Sequence, residues 1–236
     1  MHASDPPELI AQPGLTLSEQ AFQRLRGDVI CGAFAPGIKL KVDELQAAYG
    51  YSSSPLREAL NRLSQEGMVK SDERRGFRVA QISSEDLADL THMRLVVEVP
   101  ALRLSIERGG DAWEATLVAA GHRLERAEAQ LGEGPLLLDE AWSQVHRGFH
   151  MSLLAGCPSK RHLALCASLF DQAERYRRFS ARHRVGSRRK NREHRRLLEA
   201  VLKRDAGTAC ALLAEHTKST QRSVDAALTR MRATSR

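Results

Sequence analysis

The chain has 236 residues, 42% of them hydrophobic and 28% charged, with a formal charge of +7. That is enough apolar material for one or two packed domains, and it excludes wholesale disorder. No apolar run approaches the roughly 20 residues that cross a bilayer, and the opening MHASDPPELIAQPG lacks the basic and apolar regions of a secretory signal, so a cytoplasmic location is expected.

Cys31, Cys157, Cys166 and Cys210 are scattered, with no CxxC pair, and read as buried free thiols. The charge is uneven. Residues 1–80 carry ten acids and ten bases, whereas Glu174 to Arg204 carry thirteen bases against three acids. That basic run reads either as a solvated face of two long helices or as a field that draws an anionic effector or a DNA phosphate.

In chain order, residues 1–15 form a Pro-rich, polar arm. From Thr16 the pattern is helical: Thr16 or Ser18 can cap it, Ala21, Phe22, Leu25 and Ile30 recur at helical spacing, and Gly32 stops it. Ala35-Pro36-Gly37 is a turn. VDELQAAYG is a short helix ending at Gly50, and SSSPLREALNRLSQEG is a second one, with Pro55 in its first turn. Two strand-like pieces, MVKS and GFRVA, flank the charged turn DERR. Helix, short helix, turn, helix and hairpin is the order of a winged helix-turn-helix, here over residues 16–81 with a small β-hairpin wing. From Ser83 only helices are expected, opening on the cap Ser83-Ser84-Glu85-Asp86 and bending at Pro100. The remaining helices fall near 111–131, 135–155, 159–183, 187–204 and 206–231. The fold class is therefore mainly α, a winged helix-turn-helix followed by an all-α bundle over residues 82–236.

In a helix-turn-helix the N-terminal end of the second helix reaches base edges. Ser52, Ser53 and Ser54 offer hydroxyls there, Arg57 lies one turn in, and Arg62 is a weaker candidate. Arg74, Arg75 and Gly76 fall at the wing tip, suited to backbone or minor-groove contact. Each of these is equally an ordinary exposed polar residue when taken alone.

The stretch from Phe22 to Val79 resembles the DNA-binding domain of the GntR family of bacterial transcription regulators. The resemblance is carried by Gly32, Pro36-Gly37, Leu40, the segment Pro55-Leu56-Arg57-Glu58-Ala59-Leu60, Gly67 and Arg75-Gly76. It implies double-stranded operator DNA as partner and a homodimer that reads a pseudo-palindrome. Ser53 stands where the family often has arginine.

Four histidines then stand out. His146 and His150 lie four apart in QVHRGFHMSLL, on one face of a helix. His194 and His216 follow in REHRRLLEAVLKRD and CALLAEHTKST. Imidazoles converging from rigid helices suit zinc, nickel, cobalt, copper or iron, whereas single histidines are commonly core or surface groups. The helical region is similar to the FCD effector domain of the FadR-like subgroup, in which an acidic residue, a histidine four on and two later histidines hold a divalent metal. HRGFH matches that pattern at Phe149 and His150, with His146 in place of the acid. The resemblance implies His146, His150, His194 and His216 as ligands, and the lost carboxylate favours zinc or nickel.

Arg94 matches an arginine that faces the effector in such domains, a clamp for a small carboxylate. Its other role is a salt bridge to Glu98. The expected function is a ligand-responsive regulator, a repressor of a catabolic operon released by a small dicarboxylate such as glutarate, in the manner of carbon-starvation regulators. Two other readings are a metal-free acyl-thioester or organic-acid sensor of the same architecture and a metal-dependent hydrolase. For the last there is no HExxH, and Glu193 is the one candidate base.

Overall fold

The computed structural model describes residues 14–72, 76–130, 140–182 and 191–234. Arg74, Arg75, most of the expected arm and the middle of the basic run lie outside the described residues. Contacts divide the chain into two compact units, Met1–Ile82 and Ser83–Arg236.

In the first unit α1 (Leu17–Cys31) begins where the Thr16 hydroxyl accepts from the Glu19 N–H at 3.2 Å. It stops at Gly32, whose φ of +74° is a left-handed turn that glycine adopts without steric cost. Phe22, Leu25 and Val29 form the buried stripe, so Val29 rather than Ile30 completes the helical pattern. Then follow β1 (Lys39–Leu40), α2 (Val42–Tyr49), α3 (Ser53–Gln65), β2 (Val69–Asp72) and β3 (Gly76–Val79). The sheet is antiparallel in the order β1-β3-β2. It has one strand more than the two-stranded wing expected from sequence, because a two-residue strand shows no alternation to detect. Leu25, Leu56, Leu60, Leu63 and Met68 are completely buried in its core. Ion pairs Arg26–Glu66 at 2.8 Å and Arg62–Glu19 at 2.7 Å pin α1 to α3 and its C-terminal cap.

The second unit, over its described residues, is helical: α4 (Ser84–Arg108), α5 (Asp111–Gln130), α6 (Glu140–Leu154), α7 (Lys160–Arg182), α8 (Asn191–Leu202) and α9 (Ala206–Thr234). α4 packs on α6, α7 and α9; α5 packs on α6 and α8; α8 packs on α9. Leu102, Leu117, Leu124, Phe149, Leu153 and Val201 fill the middle. Gly156 lets the end of α6 press against α4, since a Cβ there would lie 2.7 Å from the Ser105 carbonyl oxygen.

α4 runs unbroken through Pro100 and is held at both ends. At its start the Ser83 hydroxyl accepts from the Asp86 N–H at 3.1 Å, and the Tyr176 hydroxyl of α7 donates to the Asp86 carboxylate. Burial, then that hydrogen bond, keeps the Tyr176 phenol protonated far above its ordinary range. At its end the Arg204 guanidinium donates to the carbonyls of Ile106 (3.0 Å) and Gly109 (2.8 Å) and pairs with Glu114 at 2.9 Å. These are carbonyls that a helix end leaves without intrahelical partners.

Replacing Leu60, fully buried between α1 and the sheet, by alanine should cost about 2–5 kcal/mol through lost burial and a residual cavity. A lower urea midpoint for the L60A chain checks it; an unchanged midpoint would refute the packing described.

Candidate nucleic-acid face and metal centre

The first unit presents the N-terminal end of α3 to solvent. Ser52 precedes the helix in extended backbone, and its hydroxyl makes no capping bond, so helix N–H groups and three hydroxyls point outward together. Ser52, Ser53, Ser54 and Arg57 are exposed. Among the described residues Arg57 has no ion-pair partner. Arg62 is different: it pairs with Glu19 and its guanidinium carbon lies 3.7 Å from the centre of the Phe22 ring, so it braces α1. Asn61 is also exposed, one turn beyond Arg57, a position that i, i+4 spacing from Arg57 would have found. Gly76 opens β3 with φ of +80°. Lys39 faces Arg78 across β1 and β3, and Arg78 faces Lys70 across β3 and β2, so three exposed cations stand in one cross-strand row. Like charges placed opposite one another oppose pairing, and an anion laid across them relieves that cost.

In the second unit α6 supplies His146 and His150, α8 His194 and α9 His216. All four are buried, and one nitrogen from each lies within 4.8 Å of the others. Ring centroids are 4.5 Å apart for His146 and His150 and 4.8 Å for His194 and His216. The donor set fits a divalent metal on an observation of its own. Nε2 of His150 and Nε2 of His194 are buried with no hydrogen-bond partner among the described residues. Such an atom costs about 1–3 kcal/mol if left so. Burial, and then the neighbouring His216 and His194, hold His150 well below its ordinary pKa, which leaves its lone pair for a cation at neutral pH. Metal–nitrogen bonds of ~2.1 Å in a tetrahedral set put ligand nitrogens ~3.4 Å apart, so the widest pair of the 4.8 Å cluster would close by up to about 1.4 Å on binding.

Two carboxylates stand behind the ring of imidazoles. Glu128 of α5 lies 2.7 Å from Nδ1 of His194, and Glu193 of α8 lies 2.9 Å from Nδ1 of His216. Reading the sequence singled out Glu193 as a base and missed Glu128, 66 residues from its partner, because nothing marks it among the other acids of α5.

Beside the cluster lies a buried charge network. The Phe170 ring is 5.2 Å from that of His150, and the same ring carries the guanidinium carbons of Arg177 at 4.1 Å and Arg94 at 5.3 Å. Arg94 makes the ion pair: its Nε and Nη2 donate to the two oxygens of Glu98 at 2.6 and 2.9 Å. Glu174 accepts from Ser143, Arg177 and Arg178. Burial alone would raise its pKa, but Arg177, Ser143 and Arg178 outweigh that and hold it below the usual carboxylate range. Arg175, Arg177 and Arg178 are therefore inside, neither a solvated face nor an outward field. On the far side of His194, Val118, Leu124, Phe149 and Leu198 line a largely apolar cavity of about 200 Å³ whose wall includes His194 and Glu128.

Comparison with known proteins assigns both units. The model of the gntR family of bacterial regulatory proteins matches residues 17–79, and that of the FCD domain matches residues 89–219. The chain is 37% identical over 203 residues to the HTH-type transcriptional repressor GlaR of Escherichia coli K12, covering 84% of this chain and 91% of that protein. It is 36% identical over 204 residues to the HTH-type transcriptional regulator BphR of Paraburkholderia xenovorans LB400, covering 86% and 83%. In fold it is similar to E. coli McbR/YncC, with a TM-score of 0.73, 20% identity, and 89% and 97% of the two chains covered.

The Arg94–Glu98 pair, with both side chains 4% exposed, generates a stability prediction. Glu98→Ala strands a buried guanidinium and should cost about 3–5 kcal/mol. Equilibrium denaturation beside the wild type checks it, and a cost below about 1 kcal/mol would mean the pair is more solvated than its burial implies.

Proposed function

Because this chain belongs to the gntR family of bacterial transcription regulators and carries an FCD domain, we propose that it is an effector-controlled repressor: its homodimer holds operator DNA until a small carboxylate binds in the helical unit beside a divalent metal. The observation that carries the reading is the convergence of four buried imidazoles, two with Nε2 atoms that find no hydrogen-bond partner among the described residues, on one point. His146, His150, His194 and His216 would hold the ion, and four neutral nitrogens favour zinc or nickel. When bound, the ion supplies a Lewis-acidic position for a carboxylate oxygen.

The chain's own residues supply the rest. Arg94, with Nε and Nη2 on Glu98, would turn its Nη1 to a second carboxylate, which suits a dicarboxylate such as glutarate. The name of the E. coli relative supports the sign of control. A ligand can shift the regulator only by binding its DNA-competent and DNA-incompetent states with different affinity. On the DNA side, Ser52, Ser53, Ser54 and Arg57 face the bases and nearby phosphates, Gly76 and the wing-tip Arg74 and Arg75 the minor groove or backbone, and the row Lys39–Arg78–Lys70 the phosphates alongside. The hydrolase reading has less support: the domains and relatives are regulators, and Glu193 is occupied in holding His216.

Elemental analysis of purified, tag-free protein should find about one transition metal per chain, lost in His150→Ala. Absence of metal after incubation with zinc and with nickel would remove the metal from the reading and leave a metal-free organic-acid sensor. Selection from random duplexes should return a pseudo-palindrome. On it, Arg57→Ala should cost about 1–3 kcal/mol at one base position, and Lys70→Gln should reduce the slope of log K against log salt by about 0.9. A panel of short mono- and dicarboxylates, none of which changed affinity for that duplex, would sink effector control of this kind.

A further inference from the structure

The carboxylates behind the histidines form a relay across three helices. Glu128 on α5 touches His194 on α8, and Glu193, the residue before His194, touches His216 on α9. α5 supplies no histidine to the cluster, and through Glu128 it nevertheless reaches it. The His194–Glu128 contact is the more enclosed, with side chains 4% and 5% exposed; Glu193 is 37% exposed.

A carboxylate only accepts, so the hydrogen of each imidazole sits on Nδ1 and the lone pair on Nε2. In His194 that places the lone pair on the atom that is buried without a hydrogen-bond partner among the described residues. The carboxylates thus select the tautomer and fix the ring rotation. Their two negative charges also offset those of a divalent ion whose four direct ligands are all neutral. A lone hydrogen bond between a surface acid and a histidine would not combine burial, a fixed tautomer and a partnerless inward nitrogen.

We infer that Glu128 and Glu193 are the positioning residues of the metal centre, Glu128 the stronger, and that they supply from behind the ring the negative charge that His146 cannot supply within it. The inference rests on the metal reading above. Glu128 also forms part of the wall of the 200 Å³ cavity, so a molecule entering there would meet the group that orients His194.

The test measures zinc and nickel affinity by competition against a chromophoric chelator for the full-length wild type, Glu128→Gln, Glu128→Leu, Glu193→Gln and the control Glu125→Gln. Glu125 is an exposed acid on α5 paired with Arg195. Glu128→Leu should weaken binding about 10–100-fold. Glu128→Gln, whose amide oxygen still accepts from Nδ1 but carries no charge, should recover part of that loss. Glu193→Gln should cost less than Glu128→Gln, and Glu125→Gln should bind as the wild type does. Helical circular dichroism reports folding, and if Glu128→Leu does not fold, the near-isosteric Glu128→Gln carries the test. Wild-type affinity in both Glu128 variants overturns the inference and leaves the metal centre standing. A wild type that binds neither ion overturns both.

Discussion

A buried imidazole nitrogen without a partner costs about 1–3 kcal/mol, and the helical unit gathers four histidines around one point in its interior. That requirement orders much of the bundle. It brings α6, α8 and α9 to a common depth and places Glu128 of α5 behind His194. Phe149 and Phe170 close the sides, with rings 5.5 Å and 5.2 Å from that of His150. An apolar core of Leu and Val alone would accept many small rotations of its helices. A cluster of directional lone pairs accepts few, so the histidines specify the arrangement as well as fill it.

The second organising feature is where the arginines go. A basic chain suggests a surface that attracts anions, yet the basic run is split: Arg175, Arg177 and Arg178 are buried, while Arg192, Arg195, Arg196, Lys203 and Arg204 are exposed. Arg177 and Arg178 share Glu174, and Arg204 caps the carbonyls at the end of α4. The exposed cations described in the first unit are Arg24, Lys39, Lys41, Arg57, Lys70 and Arg78; Arg24 lies over Tyr49, Lys41 pairs with Glu44, and Lys39, Arg78 and Lys70 stand in one row across the sheet. Net charge alone therefore did not locate these cations, whereas strand register placed three of them in one row. Buried ion pairs give little net stability over apolar packing but are costly to break, so this network fixes geometry next to the histidines more than it adds strength.

Much of the fold was legible in the sequence because its helices are long, capped and separated by Gly or Pro. Thr16, Gly32, Ser83 and Gly109 mark ends where they were expected. The i, i+4 pair His146 and His150 marked one side of the cluster, since helical geometry alone puts both on one face. The rest was hidden for physical reasons. β1 is two residues long. α7 is buried all round from Ala173 to Arg178, so its polar residues looked like a solvent face when they are an interior one. Glu128 belongs to the site through a contact across 66 residues, and no local pattern encodes that.

α4 shows what such holding means mechanically. It is one helix of 25 residues, about 37 Å long at 1.5 Å per residue. Tyr176 and Ser83 fasten its first turn and Arg204 its last. Arg94 and Glu98 sit between, in contact with the wall of the histidine cluster. A rod clamped at both ends cannot absorb a push at its middle by unravelling at its tips. Unravelling either end would have to break these bonds, so α4 stays one stiff helix up to Ser84, beside the start of the second unit.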